Sequence, residues 1–221
     1  MRIDILTLFP EMFDGVLNES IIARAINKEK VKINLINFRD FSTLSNNSVD
    51  DTPYGGGAGM VLRMEPLVSA LRSVKDEDSY IILLSPDGLV YNEKKAFSLK
   101  DKKHLILICG HYEGFDERIY NYVDDVISIG DFILTGGEVP AMVIVDSVVR
   151  LIDGVINEES YINDSFTNGL LDYPNYTKPR VFEGLEVPEV LVSGDHKKIE
   201  EYRMLMAKEK TERRNRKING E

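Results

Sequence analysis

The stretch "SIGDFILTGGEVPAM", Ser128 to Met142, sets the reading of the whole chain. An apolar run, Phe132 to Leu134, lies between Gly130 and the pair Gly136–Gly137, and helix-forming residues follow. A strand, a glycine turn and a helix ordinarily cradle phosphate, because the exposed backbone N–H groups sit at the positive end of a helix dipole. No lysine follows, however, and the charged residues are Asp131 and Glu138, both acidic. The segment reads as the carboxyl end of a buried strand turning into a helix, with a ligand that needs no cation.

Outward from this stretch, short apolar runs alternate with longer amphipathic ones. "IDILTLF" (3–9), "KINLINF" (32–38), "YIILLS" (80–85), "LILIC" (105–109) and "DVISI" (125–129) read as buried strands, several apolar on both faces. Helical patterns cover roughly 11–28, 62–74, 92–99, 115–122 and 138–153. Alternation of this kind predicts an α/β fold around a mainly parallel sheet, whose ligands sit at the carboxyl ends of strands. Three strand ends carry turn chemistry there: "SPDG", "GHYEG" and "GDFILTGG". After Val155 the composition turns polar, and 195–217 reads as a helix opening near Asp195. The expected division is a ligand-binding domain over 1–157, a flexible linker over 158–172 and a small, mostly helical C-terminal domain over 173–221.

With 221 residues, 43% of them hydrophobic, the chain is long enough to bury a sizeable core. A single cysteine, Cys109, excludes an intrachain disulfide and fits a reducing cytoplasm. The start lacks the features of a signal peptide, and no apolar run approaches the ~20 residues that span a bilayer, so a soluble cytoplasmic protein with no membrane partner is expected. Net charge is −10, yet His196 to Gly220 holds nine Lys/Arg against four acids. That surplus of +5 leaves −15 for the remainder. A basic tail on an acidic body is an electrostatic footprint for nucleic acid; a solvated helix of mixed charge is the alternative.

A second glycine cluster, "VDDTPYGGGAGM" (49–60), follows a polar segment rather than a strand, so a dinucleotide fingerprint does not fit. It reads as a surface loop, or as a flap in which Asp50, Asp51 and Tyr54 add hydrogen-bonding groups. No P-loop pattern exists anywhere, which excludes that class of nucleotide enzyme. In 128–142, glycine backbone can hydrogen-bond an adenine edge while Ile129, Ile133 and Leu134 form apolar walls. S-adenosylmethionine, cationic and free of phosphate, fits that description; close strand-to-helix packing through glycine is the competing reading. Cys109 and His111 lack the company a metal site needs, and His104 and His196 have no partner visible in the sequence.

Taken in order, the motifs resemble one family: the bacterial tRNA (guanine-N1)-methyltransferases of TrmD type, in the SPOUT, or trefoil-knot, superfamily. The matching stretches are "LFPEMF" (8–13), "RDF" (39–41), "VDDTPYGGGAGM" (49–60), "LSPDG" (84–88), "CGHYEGFDERI" (109–119), "SIGDFILTGGEVPAM" (128–142) and 164–196. The resemblance implies methyl transfer from S-adenosylmethionine to N1 of the guanine immediately 3′ of the anticodon, position 37, in tRNA. It implies a homodimer with sites shared between subunits, a deep trefoil knot that includes the segment near 128–137, and magnesium assistance without a dedicated set of metal ligands. DNA is not an expected partner. Position by position, it implies cofactor contacts at Leu84, Ser85, Pro86, Gly110, Tyr112, Glu113, Ile129, Gly130, Asp131, Phe132, Ile133, Leu134, Gly136, Gly137 and Pro140. Asp164 matches the general base and Arg150 the arginine beside it. Asp50, Tyr54, Asp172, Lys178, Arg180 and Arg203 are expected on the RNA side. His111 and Phe132 depart from the Arg and Tyr of many relatives, and the C-terminal end looks short.

The implied reaction has a definite demand. N1 of guanine carries a proton that must leave before or during attack on the methyl sulfonium. An aspartate with an ordinary pKa of ~3.9 is a weak base for it, and each pKa unit of mismatch costs ~1.4 kcal/mol. A guanidinium near O6 would stabilise the charge that develops there, a role Mg²⁺ could share. The polar linker suggests that Asp164 becomes ordered when tRNA bridges the domains. Two other functions fit parts of the pattern: a ribose 2′-O-methyltransferase of the same superfamily, and a non-catalytic RNA-binding module.

Overall fold

Alternation along the strands builds the core. In the strand His104–Cys109, Leu105, Leu107 and Cys109 enter one apolar layer while Ile106 and Ile108 enter the other. A strand buried on both faces needs helices on both sides. The computed structural model describes residues 1–157, 161, 164–218 and 220. By contacts the chain divides into two compact units, Met1–Ile156 and Asn157–Glu221.

In the first unit the strands are β1 (Arg2–Thr7), β2 (Lys32–Asn37), β3 (Asp50–Asp51), β4 (Val61–Leu62), β5 (Ser79–Val90), β6 (His104–Cys109) and β7 (Asp125–Ser128). Five of them form one sheet in the order β2-β1-β6-β5-β7, with every pair parallel. β3 and β4 form a separate antiparallel pair. The helices are α1 (Asp14–Leu17), α2 (Ser20–Asn27), α3 (Met64–Val74), α4 (Glu93–Lys100) and α5 (Glu138–Val149). One core layer packs Ile3, Ile5, Ile82 and Leu84 against α2, α4 and α5. The other packs Leu6, Ile81 and Leu83 against α3, Phe38 and Ile119. The α/β class with a parallel sheet is as expected.

Several boundaries differ from the sequence reading. The helical pattern at 11–28 splits into a 3-10 turn (Pro10–Phe13), α1 and α2, because Ser20 takes a left-handed φ of 55° at the join. The segment 117–122 is a 3-10 helix capped by the Asp116 side chain, which accepts from the Arg118 N–H. The most telling correction concerns "SPDG", expected as a turn that ends a strand. Instead β5 runs through it: Leu84 and Leu89 both pair with Ile127, so residues 85–88 bulge from the ladder between two paired stretches. Gly88 permits this because a Cβ there would meet the backbone of Val126 and Ile127 at 2.5–2.6 Å.

At the amino ends of the strands a buried polar cluster supplies partners that the sequence did not reveal for His104. Its Nε2 lies 2.9 Å from Asp4 and its Nδ1 lies 3.0 Å from Asp76 and 2.8 Å from the Ser79 hydroxyl. Asn34 donates to the other oxygen of Asp4. Burying Asp4 is tolerable because its carboxylate is paired and hydrogen-bonded. The His104 hydrogen bond holds the Asp76 carboxyl below its ordinary range.

The second unit contains a short hairpin, β8 (Val181–Phe182) and β9 (Leu185–Glu186), a 3-10 turn (Glu189–Val192) and α6 (His196–Ile218). Asp195 starts α6 by accepting from the Lys198 N–H. Among the described residues no helix is long and apolar enough to cross a membrane.

Candidate active site

The bulge within β5 and the carboxyl ends of β6 and β7 bring three segments around one cavity of about 280 Å³. The first wall is Leu84, Ser85 and Pro86 at the β5 bulge; the second is Gly110 to Phe115 after β6. The third runs from Ile127 through Ile129, Gly130, Phe132, Ile133 and Leu134 to Gly136, Gly137 and Pro140. Glycine is required where these walls meet. A Cβ on Gly137 would lie 2.7 Å from Cys109 Cα and Gly110 N, and the Gly137 N–H donates to the Gly110 carbonyl at 2.8 Å. The second and third loops are thus bound backbone to backbone, reinforced by a bridge between His111 and Gly136.

Of the expected cofactor contacts, all but Asp131 line the cavity. Asp131 is exposed because the Phe132 N–H donates to the Gly130 carbonyl, a tight turn with Asp131 at its apex. Sequence reasoning omitted Gly114, Phe115, Ile127, Ser128 and Thr135, which line it as neighbours of expected contacts. His111, expected only as a departure, also lines it, with its ring 5.0 Å from Phe9 and 4.9 Å from Tyr112. No lysine, arginine or aspartate is among the lining residues, and the only carboxylate is Glu113.

The second glycine loop reaches this site as well. The Glu113 N–H donates to the Met60 carbonyl and the Leu62 N–H to the Gly114 carbonyl, both at 2.9 Å. Gly59 lies so close that a Cβ there would strike the Glu113 side chain. Asp50 lies in β3, accepting from the Ser48 hydroxyl, and Tyr54 is fully exposed on the loop. Behind the third wall Glu138, only 2% exposed, opens α5 and accepts from the Thr7 hydroxyl at 2.8 Å. A carboxylate at a helix N-terminus is stabilised by the helix dipole. Burial, with Glu138 nearby, pushes the Cys109 thiol well up, so it is a core residue rather than a nucleophile.

Arg150 caps the C-terminus of α5 in the first unit. In the second unit Asp164, Asp172, Tyr173, His196, Glu200 and Arg203 line another hollow, of about 400 Å³. Asp164 sits in a turn, its carbonyl accepting from the Thr167 N–H. Asp172 is fixed through its backbone, by the Ser165 hydroxyl and the Lys210 ammonium. The Arg203 guanidinium lies 4.7 Å from the centre of the Tyr173 ring. Lys178 and Arg180 are exposed and are not among the lining residues, and Arg180 lies 3.9 Å from Glu189. Linker residues 158–160 and 162–163 lie outside the described residues. Among the described residues no group of three His, Cys, Asp or Glu could hold a metal ion.

A parallel α/β sheet with a glycine-rich cavity, free of lysine and arginine among its lining residues, is of a class suited to a neutral or cationic organic ligand. Comparison with known proteins narrows the class. The family described as "tRNA (Guanine-1)-methyltransferase TrmD" matches residues 1–219, and the chain belongs to that family. Relatives named tRNA (guanine-N(1)-)-methyltransferase include one from Malacoplasma penetrans, 58% identical over 203 residues, covering 92% of this chain and 90% of the relative. Another, from Carboxydothermus hydrogenoformans, is 57% identical over 205 residues, covering 92% and 81%. A third, from Endomicrobium trichonymphae, is 52% identical over 226 residues, covering 97% of each.

Proposed function

We propose that this chain transfers the methyl group of S-adenosylmethionine to N1 of guanine in tRNA, at the nucleotide immediately 3′ of the anticodon. The observation that carries the reading is the lining of the cavity: three loops, two of them built on glycine backbone, with apolar walls and no lysine or arginine among the lining residues. A phosphate ligand would want the missing cation, whereas a sulfonium tolerates Glu113. The bound donor supplies an electrophilic methyl group. The chain's own groups must then hold the donor, present the guanine and take its proton. Leu84, Ile133, Leu134 and Pro140 would clasp the adenosine while backbone of the second and third loops reads its polar edge.

Asp164 is proposed as the base that takes the N1 proton, and Arg150 as the cation that stabilises charge on O6. Asp172, Arg203, Lys178, Arg180, Asp50 and Tyr54 are proposed on the RNA side. The nine Lys/Arg between His196 and Gly220 support phosphate contacts on α6. A homodimer belongs to the same reading, supported by apolar side chains that a monomer leaves in water: Leu89 is 81% exposed and Ile133 80%, and Val139 and Val143 project from one face of α5. The trefoil knot belongs to the same reading, through the family to which the chain belongs.

The test uses radiolabelled S-adenosylmethionine with tRNA transcripts bearing G or A just 3′ of the anticodon. Label on the G transcript alone, digested to 1-methylguanosine and reduced at least ~100-fold in Asp164→Ala, is expected. Label on both transcripts would point to ribose methylation. Cofactor binding without any label would make this an RNA-binding module.

A further inference from the structure

The first wall of the cavity is held differently from the other two. Residues 85–88 bulge between Leu84 and Leu89, which share Ile127 as partner, so the strand ladder does not fix them. Yet Ser85 and Pro86 line the cavity and must be placed to within a fraction of an ångström to hold a ligand. One side-chain network crosses from this bulge to a neighbouring element. Asp87 accepts from the Ser85 hydroxyl within the bulge, and from the Tyr120 hydroxyl at 2.9 Å (Oδ2) and 3.1 Å (Oδ1). Tyr120 belongs to the 3-10 helix Glu117–Tyr122, which Asp116 caps, and its ring packs against the second core layer.

We propose that Asp87 and Tyr120 are positioning residues for the methyl donor: their hydrogen bonds clasp the bulge to the 3-10 helix and so set the first wall of the cofactor cavity. This rests on the reading of that cavity as the S-adenosylmethionine site. The logic is one of anchoring. Tyr120 is rooted in the core at its ring end, so its hydroxyl offers a fixed donor at the surface. Asp87 on the bulge is exposed and accepts from both sides. The acceptor is a carboxylate, ionised at neutral pH like any aspartate, and the Ser85 hydrogen bond holds its pKa below the ordinary range. Gly88 sets how close the bulge comes to β7, and the clasp sets where Ser85 and Pro86 face. Neither Asp87 nor Tyr120 is among the cavity-lining residues, so both act through Ser85, whose hydroxyl meets them, and through Pro86 beside it.

Tyr120→Phe removes only the hydroxyl and keeps the ring in the core. Measured by titration calorimetry, its Kd for S-adenosylmethionine should rise about fivefold, the loss of one charge-assisted hydrogen bond at an exposed site. The KM for S-adenosylmethionine should rise in step while kcat at saturating donor stays within about twofold, a split that general loss of structure would not give. Asp87→Asn should act in the same direction, and the double variant should be no worse than the weaker-binding single one, since both break the same link. Unchanged Kd in Tyr120→Phe, losses that multiply in the double variant, or a fall in kcat with Kd unmoved would each overturn the clasp. Failure of the unmodified chain to bind S-adenosylmethionine would overturn the site reading and the clasp together; normal binding by it and an unshifted variant would overturn the clasp alone.

Discussion

Gly137→Ala adds one methyl group at the point where α5 leaves the glycine loop. The residue has an ordinary φ of −83°, so alanine meets no backbone strain there. The obstacle is steric: the new carbon would sit 2.7 Å from Cys109 Cα, 2.7 Å from Gly110 N and 3.1 Å from Cys109 C. Carbon contacts relax at about 3.5–4.0 Å, so the loop must retreat by about 0.8 Å or more. It has little to push against that gives. All three contacts are backbone at the end of β6, the middle strand of five, every residue of which is buried. Overpacking of this kind costs about 1–3 kcal/mol, and immovable contacts put this case near 3. At about 2–4 °C per kcal/mol, the midpoint should fall by about 6–12 °C in calorimetry. The retreat also parts the second and third cavity walls, so S-adenosylmethionine affinity should drop with it. Gly15→Ala is the matched comparison: nothing lies within 4 Å of its Cβ, and it sits inside α1. That variant should be neutral or stabilised by up to ~1 kcal/mol. A Gly137→Ala protein melting within about 2 °C of the unmodified chain would refute the reasoning, since the walls would then be free to yield.

Thr7→Val should cost about 1–3 kcal/mol in urea unfolding, because Glu138 is buried and would lose a donor it cannot replace with water. Stability should also fall in acid through Asp76. Its folded-state pKa lies below the ordinary 3.8, mainly through His104, so its contribution is complete above that value and is lost as pH falls through the lower folded one. Urea midpoints from pH 6 down to about 2.5 should show this decline, and Asp76→Asn should flatten it; an unchanged acid limb would count against the cluster. Val143→Glu, which puts a charge on the exposed face of α5, should convert the proposed dimer to a monomer in light scattering, whereas an unaltered mass would argue against that face as the interface.

The parallel sheet was legible because its strands are nearly uninterrupted apolar runs, and the alternating layers of β6 follow directly from "LILIC". The cavity was legible for a different reason. Backbone-built sites need glycine, and Gly110, Gly136 and Gly137 stand where loops touch main chain to main chain. Two features were hidden. Pro86 and Gly88 announce a turn, but whether the chain ends its strand or bulges and rejoins depends on Ile127, some forty residues away in sequence. The hydrogen bonds of His104 to Asp4 and Asp76 depend likewise on strand register, which periodicity cannot specify. Asp131 stands apart from the lining residues because a tight turn sets a residue against its neighbours, and local composition carries no sign of which way it faces.

The strand order also governs how the molecule can be assembled. β1 pairs with β2 on one side, but its other edge waits for β6, with Arg2 meeting His104 across about a hundred residues of chain. During synthesis from the amino end, β1 and β2 emerge with a sticky, unpaired edge long before the strand that covers it exists. β6 then takes the vacant central seat, β5 flanks it, and β7 can only join at the rim. The ligand cavity, which draws on residues from Leu84 to Pro140, is therefore among the last features to close. A newborn chain must protect its sheet edge without any help from the small molecule its finished form would hold.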